Sequence, residues 1–154
     1  MTHTAATEAQ QAHINWQTYS QELFLTATVA KKPILLYFHT QECWACTRVD
    51  KETFLDKKIQ HILNNSYIAI DVNDSNEALF TEVALKFSLI KDGGVAVPTI
   101  IILSSTNIPT ELYKIEGFVS PTDLIAAIQI SLALNALEQL NEKLNRSLQD
   151  PEKK

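Results

Sequence analysis

Residues 43 to 46 read Cys-Trp-Ala-Cys and hold both cysteines of the chain, a few residues after the apolar run Pro33-Ile-Leu-Leu-Tyr-Phe38. That juxtaposition constrains the fold more than anything else in the sequence. A continuous apolar run of this length suits a strand buried on both faces of a sheet. Two thiols three residues apart at the first turn of a helix have close Cβ atoms and can close a disulfide without moving the backbone. The first thiol faces the helix N-terminus, whose unpaired N–H groups and dipole favour a thiolate. Cys43 is therefore the expected nucleophile and Cys46 the resolving thiol.

Cys-x-x-Cys is also half of a zinc site. A structural zinc needs four ligands, usually from paired cysteine or histidine pairs. There is no second Cys-x-x-Cys, and His3, His13, His39 and His61 show no His-x-x-x-His spacing. Only His39, one short loop before Cys43, is placed to join the pair. The strand-to-helix setting favours redox chemistry. No metal and no cofactor is expected, and metal handling by Cys43, Cys46 and His39 stays as an alternative.

The chain has 154 residues, 45% of them hydrophobic, which suits one domain with its own core. A net charge of -5 with scattered lysines and arginines argues against nucleic-acid binding, which needs a basic face. The first dozen residues lack the apolar stretch of a secretory signal or membrane span, so no membrane span is expected. Two cysteines in one reactive pair do not fix the compartment.

Along the chain, Ile14, Trp16, Tyr19, Leu23, Phe24, Ala27 and Ala30 come close to a 3.6-residue period, predicting one amphipathic helix over 14–30. Strands are expected at 34–39, 67–72, 99–104 and 111–116, the last two as an antiparallel hairpin turning at Asn107-Ile-Pro109. Helices are expected from Cys43 to about Thr53, from about Asp56 to Asn64, from an N-cap at Ser75 to Phe87, and after Ser120-Pro121. Gly93-Gly94 reads as a break. The fold class is α/β, a mixed sheet of about four to five strands covered by helices on both faces. Residues 1–13 read as a flexible N-terminal segment, 14–134 as the domain, and 135–154 as a helical extension and tail.

This order of elements, with Cys-x-x-Cys behind a buried strand and Val97-Pro98-Thr99 opening a later one, resembles the thioredoxin superfamily over residues 14–134. Within it the chain resembles the C-terminal soluble domain of the thiol-disulfide interchange protein DsbD and its small relatives. The residues that carry the likeness are Lys32-Pro33, Cys43 and Cys46, Thr53-Phe54 with Asp56, Pro98-Thr99-Ile100 and Gly117-Phe118. The resemblance implies that Pro98 is cis and lies against the disulfide, and that Val97 offers its backbone to an incoming chain, as an added strand would. An ordinary strand-opening proline is the plainer reading of Pro98. The likeness also implies a periplasmic or otherwise extracytoplasmic protein, although the cytoplasm stays open.

Two departures stand out. Thioredoxins usually carry a buried aspartate six residues before the first cysteine; here that residue is Tyr37. Asp50, four residues after Cys46, lies over the same helix face and is the expected proton acceptor for Cys46, against the plainer reading of a solvated helix carboxylate. Glu42 precedes Cys43 where thioredoxins commonly have tryptophan, and the aromatic ring sits inside the motif as Trp44. Trp44 is expected to be a platform for the partner, against the alternative of an aromatic packed over the helix start.

The implied activity is thiol-disulfide exchange with protein substrates or an electron-donor thiol protein, through a mixed disulfide on Cys43. The motif interior has no basic residue and Glu42 disfavours a thiolate, so the pair is expected to act as a reductant. A redox-inactive binding module that keeps the fold as a docking surface is the alternative from another class. Beyond the domain, Leu134, Leu137, Leu140, Leu144 and Leu148 form a helical apolar stripe. It is expected to pack back on the domain or, as the sharper reading, to pair two copies in a homodimer.

Overall fold

The computed structural model describes residues 13–149; the segment expected to be flexible, 1–13, lies outside them except for its last residue, as does the tail from 150. Five strands form the main sheet: β1 (Gln17–Thr18), β2 (Ile34–His39), β3 (Ile68–Asn73), β6 (Thr99–Leu103) and β7 (Glu111–Glu116). Their order is β1-β3-β2-β6-β7. β3 runs parallel to both β1 and β2, while β2/β6 and β6/β7 are antiparallel. The helices are α1 (Glu22–Ala30), α2 (Trp44–Arg48), which continues into a π-helical turn over Val49–Thr53, α3 (Lys57–Ser66), α4 (Glu77–Lys86) and α5 (Pro121–Gln149). A small separate hairpin pairs β4 (Ile90–Lys91) with β5 (Gly94–Val95).

β2 is central, and its first five residues are buried, as the unbroken apolar run requires. Alternation sends its side chains to two cores. Leu35 and Tyr37 join Ala69, Ile100 and Ile102 under the π turn, α3 and α5, where Val49, Phe54, Ile59, Leu63, Leu124 and Ile128 close the layer. Ile34, Leu36 and Phe38 join Ile70, Val72, Ile101 and Leu103 under α1 and α4. The sheet is therefore covered on both faces, with the dithiol turn at the end where β2 stops.

The single helix expected over 14–30 begins only at Glu22. Residues 13–18 are not helical: the Trp16 N–H bonds back to the Ile14 carbonyl at 2.9 Å, and Gln17–Thr18 add an edge strand to β3. Asn64 fixes this segment: its Oδ1 accepts the Asn15 N–H at 2.8 Å and its Nδ2 donates to the His13 carbonyl at 2.8 Å. The cap of α4 is Asn76, whose Oδ1 accepts the Leu79 N–H, one residue later than expected. Asp92 and Gly93, both with positive φ, form the two-residue turn of the β4/β5 hairpin where a plain break was expected.

The expected 99–116 hairpin is present, with a connection through Ser104–Thr110 in which the buried Ser104 and Thr106 hydroxyls bond one another and the loop backbone. α5 is one continuous helix past residue 134. Its outer half does not turn leucines onto the domain: Leu137, Leu140, Leu144 and Leu148 are 55–63% exposed, against the expectation of own-domain packing. What faces inward is polar. Asn135 Oδ1 accepts the Ser105 N–H at 2.8 Å, Gln139 Nε2 donates to Ser105 Oγ at 2.7 Å, and Glu142 accepts the Asn107 N–H at 2.8 Å. Among the described residues no helix is long and apolar enough to cross a membrane.

Candidate functional site

Cys43 has extended backbone and is the N-cap of α2, its Sγ accepting the Cys46 N–H at 3.1 Å. The loop that delivers it from β2 is tied down by Gln41, whose N–H donates to Asp74 Oδ1 at 3.2 Å. Cys43 and Cys46 are joined in a disulfide with Cα atoms 5.2 Å apart. The two sulfurs are not equivalent. Cys43 is half-buried, whereas Cys46 is 1% exposed.

Below Cys46 lies Tyr37, buried in β2. Its hydroxyl donates to Asp50 Oδ1 at 2.9 Å and lies 3.3 Å from the Cys46 carbonyl oxygen. The ring is held on three sides, stacked on His39 at 4.4 Å, edge-on to Phe54 at 4.8 Å and tilted against Trp16 at 5.6 Å. Burial first, then the Asp50 charge and the hydrogen bond to it, and last the Asp71 charge, push the Tyr37 phenol well above its usual range. It stays a neutral donor at any physiological pH.

The π turn that carries Asp50 is itself anchored. Phe54 N–H bonds back to the Val49 carbonyl at 2.9 Å, the buried Thr53 hydroxyl donates to the Val119 carbonyl at 2.6 Å, and Gln60 Nε2 donates to the Phe54 carbonyl at 3.0 Å. Asp50, exposed as a residue, is thus presented at one end of a fixed turn with one oxygen held from below.

His39, the one histidine near the pair, is occupied elsewhere: its Nε2 is 2.9 Å from both oxygens of Asp71. Among the described residues no group of three or more His, Cys, Asp or Glu side chains is gathered as a metal site needs.

The Val97–Pro98 bond is cis. In the antiparallel β2/β6 register Phe38 faces Thr99, so Pro98 comes level with His39, the last residue of β2, before the chain turns toward Cys43. Thr99 Oγ1 donates to the Ala96 carbonyl at 2.8 Å, and the Gly117 N–H donates to the Pro98 carbonyl at 2.8 Å. Among the described residues Val97 makes no backbone hydrogen bond of its own. Gly117 takes φ +86, a left-handed conformation that glycine accepts readily, to turn β7 toward Phe118.

At the rim Trp44 is 78% exposed. The Arg48 guanidinium lies 5.5 Å from its ring centre and 3.9 Å from that of Phe118. Arg48 also pairs through two nitrogens with Glu52, at 2.7 and 3.2 Å. Its charge is therefore matched one turn away, and Glu42 stands exposed beside Cys43.

Three of these participants escaped the sequence reading of the site. Tyr37 figured only as a missing aspartate; the available signal was a tyrosine in a strand otherwise apolar, since a buried phenol needs a partner. Arg48 sits four residues from both Trp44 and Glu52, the spacing at which helix neighbours meet. Phe118 counted as part of a pattern, with nothing to place it beside Arg48.

A mixed β-sheet layered between helices, with a dithiol at a helix start and a cis-proline at the end of the neighbouring strand, defines a thioredoxin-like protein. The chain belongs to the Thioredox_DsbH family, described as "Protein of unknown function, DUF255", which it matches over residues 4–153. It is 27% identical over 120 residues to the thiol:disulfide interchange protein DsbD of Yersinia pestis (strain Pestoides F), covering 76% of this chain and 19% of that protein. The chain thus spans about a fifth of that relative's length. Its fold is similar to a thioredoxin from Thermus thermophilus, with TM-score 0.65 at 14% identity over 79% of this chain and 91% of that one. It is also similar to a solved structure named DsbH Oxidoreductase, with TM-score 0.62 at 14% identity over 80% and 87%.

Proposed function

We propose that this chain is a thiol-disulfide oxidoreductase that reduces disulfides of partner proteins. The observation that carries the reading is the unequal burial of a bonded cysteine pair: a partner can reach Cys43 but not Cys46. In the reduced protein the Cys43 thiolate attacks one sulfur of a partner disulfide, forming a mixed disulfide and releasing the partner's other sulfur as a thiolate. Cys46 gives its proton to Asp50 and attacks Cys43, re-forming the internal disulfide and releasing the second partner thiolate. The dithiol loses two electrons and the partner disulfide gains them.

Trp44 and Glu42 at the rim, with Val97 and Pro98 across from the turn, make the contact surface for the partner. The unpaired Val97 backbone suits an extended segment added as a strand. Reduction rather than oxidation is favoured because Glu42 opposes a thiolate and the guanidinium of Arg48 is matched by Glu52. The size of that bias is small: one exposed charge is worth about 1 kcal/mol, or about 20 mV for a two-electron couple. The name of the Yersinia relative, a thiol:disulfide interchange protein, supports the chemistry, and the family likeness supports an extracytoplasmic setting, the periplasm in a bacterium.

Insulin disulfide reduction tests the reading. Wild type should turn over, Cys43→Ser should be inert, and Cys46→Ser should accumulate a covalent mixed disulfide. Wild type without activity would leave the docking-module alternative. A reduction potential near about -120 mV, where strong oxidants lie, would reverse the direction.

The outer half of α5 favours a second partner, another copy of this chain. Ile130, Ala133, Leu137, Leu140 and Leu144 alternate four and three residues apart on the solvent side, the spacing of a coiled-coil seam. At on the order of 100 Å² per large aliphatic side chain, the stripe supplies about half of the roughly 800 Å² per partner of a standard interface, and the side chains that flank it would have to supply the rest.

A further inference from the structure

We propose that Tyr37 is a positioning residue: from the central strand it holds the Asp50 carboxylate at the turn of the buried Cys46, so that the proton acceptor of the resolving step is fixed from outside its own helix. The inference rests on the reading above, in which Cys46 resolves the mixed disulfide.

Asp50 needs such a hold. It is exposed, it lies in a π turn, and among the described residues its carboxylate has no hydrogen-bond partner other than the Tyr37 hydroxyl. An aspartate on a helix surface otherwise turns to water, and its effect on a thiol one turn away is then screened. Tyr37 has the opposite character. Its ring is 1% exposed and fixed by His39, Phe54 and Trp16, so the position of its oxygen is set by the sheet.

The hydroxyl carries one proton and two acceptors lie within reach. The Asp50 oxygen at 2.9 Å is nearer than the Cys46 carbonyl at 3.3 Å, so the proton goes chiefly to Asp50. The same oxygen therefore touches the backbone of the resolving cysteine and the side chain of its proton acceptor. The titratable groups facing Tyr37 are Asp50 from the π turn, His39 from β2 and Asp71 from β3, the last two paired with each other. Burial keeps the phenol protonated, so the contact persists while a neighbouring thiol titrates.

The role differs from a merely structural one in what it moves. A fixed carboxylate opposes formation of a second negative charge on Cys46, so releasing it lowers the pH at which that thiol ionises. Tyr37→Phe keeps the ring and removes only the hydroxyl.

The test is a thiolate titration by ultraviolet absorbance on Cys43→Ser protein, where Cys46 is the sole thiol. Tyr37→Phe should lower the Cys46 midpoint by about half a pH unit or more, and Asp50→Asn by at least as much. Added to Asp50→Asn, Tyr37→Phe should move it by less than about 0.2 unit, because the two act as one device. In the two-cysteine protein, release of thionitrobenzoate from its mixed disulfide with Cys43 should show a pH profile displaced by the same amount. An unmoved midpoint in Tyr37→Phe overturns the proposal, and so does a shift that persists undiminished in the Asp50→Asn background. Should Tyr37→Phe fold poorly, Asp50→Glu against Asp50→Asn provides the second arm: recovery of the wild-type midpoint by the glutamate upholds a held carboxylate, and no recovery overturns it. The titration needs no protein partner. An intact Tyr37–Asp50 coupling without insulin reduction would therefore count against the proposed function alone.

Discussion

The start of α2 and the outer half of α5 are both helical segments lying at the edge of the domain, and they are oriented by opposite rules. At α2 the inward side holds Cys46 and Val49 and the outward side carries Trp44, Thr47 and Asp50. On α5 beyond residue 134 the inward side is Asn135, Gln139 and Glu142, and the leucines face out. In the first case apolar burial orients the helix. In the second, the Ser104–Thr110 loop has N–H and hydroxyl groups that must be bonded, and only a polar helix face can do that. A stripe of leucines thus shows that a helix has an apolar face without showing that its own domain covers it.

The sharpest way to break that contrast is to remove the polar fastening. Asn135 is buried, and both ends of its amide meet Ser105. Asn135→Ala leaves the buried Ser105 N–H without its acceptor and should cost about 1–3 kcal/mol in urea unfolding. A loss near zero would mean that α5 is not held by its polar side. Hydrogen exchange should report the same change locally, with faster exchange in residues 136–149 and little change around Cys46.

The buried core, at Tyr37 beneath the disulfide and at Tyr67 beneath the inner half of α5, should respond to alkali in a way the outer α5 does not. Burial holds the phenols of Tyr37 and Tyr67 well above their usual range in the folded protein, whereas in the unfolded chain they titrate near about pH 10. A group whose folded pKa is raised contributes stability that is intact below its unfolded pKa and is lost as pH rises above it. Each tyrosine should therefore remove about 1.4 kcal/mol per pH unit above about pH 10. Tyr37→Phe should roughly halve that slope, and substitutions in the leucine stripe should leave it alone. A slope unchanged in Tyr37→Phe would mean that this phenol is open to water in solution.

The same contrast explains what could be read from the chain before its structure. β2 and β6 are legible because apolar runs opened by Pro33 and Pro98 leave little else for them to be, and β7 because its alternating residues between the Asn107–Pro109 turn and Gly117 suit a hairpin partner. The dithiol is legible because its spacing in sequence is local, whereas Pro98, about fifty residues further on, is tied to it in the sequence only through the family resemblance. The edge strand at Gln17–Thr18 is not, because an asparagine about fifty residues away fixes its extended backbone, and periodicity cannot register that. The Tyr37–Asp50 link spans thirteen residues and two elements, and only the register of β2 beneath α2 brings it about. The side of α5 that faces inward depends on the hydrogen-bonding needs of a loop, which no hydrophobic pattern contains.

The smallest expected effect on stability bears most on the outward leucines. Leu144 is more than half exposed, so within a single copy Leu144→Ser removes little buried surface and should change stability by less than about 0.5 kcal/mol at low protein concentration. In a paired state the same side chain follows Leu140 in the seam, with Leu148 one turn beyond, and its loss opens the interface. Light scattering coupled to size exclusion should then show wild type at twice the chain mass and Leu144→Ser at the single mass, with unfolding of wild type alone dependent on concentration. Monomeric wild type at every concentration would refute pairing and leave the stripe as exposed apolar surface. A dimer that survives Leu144→Ser and Leu137→Ser together would move the interface elsewhere on the domain. Either result would still leave the orientation of α5 explained by Asn135, Gln139 and Glu142, because those bonds form within one chain.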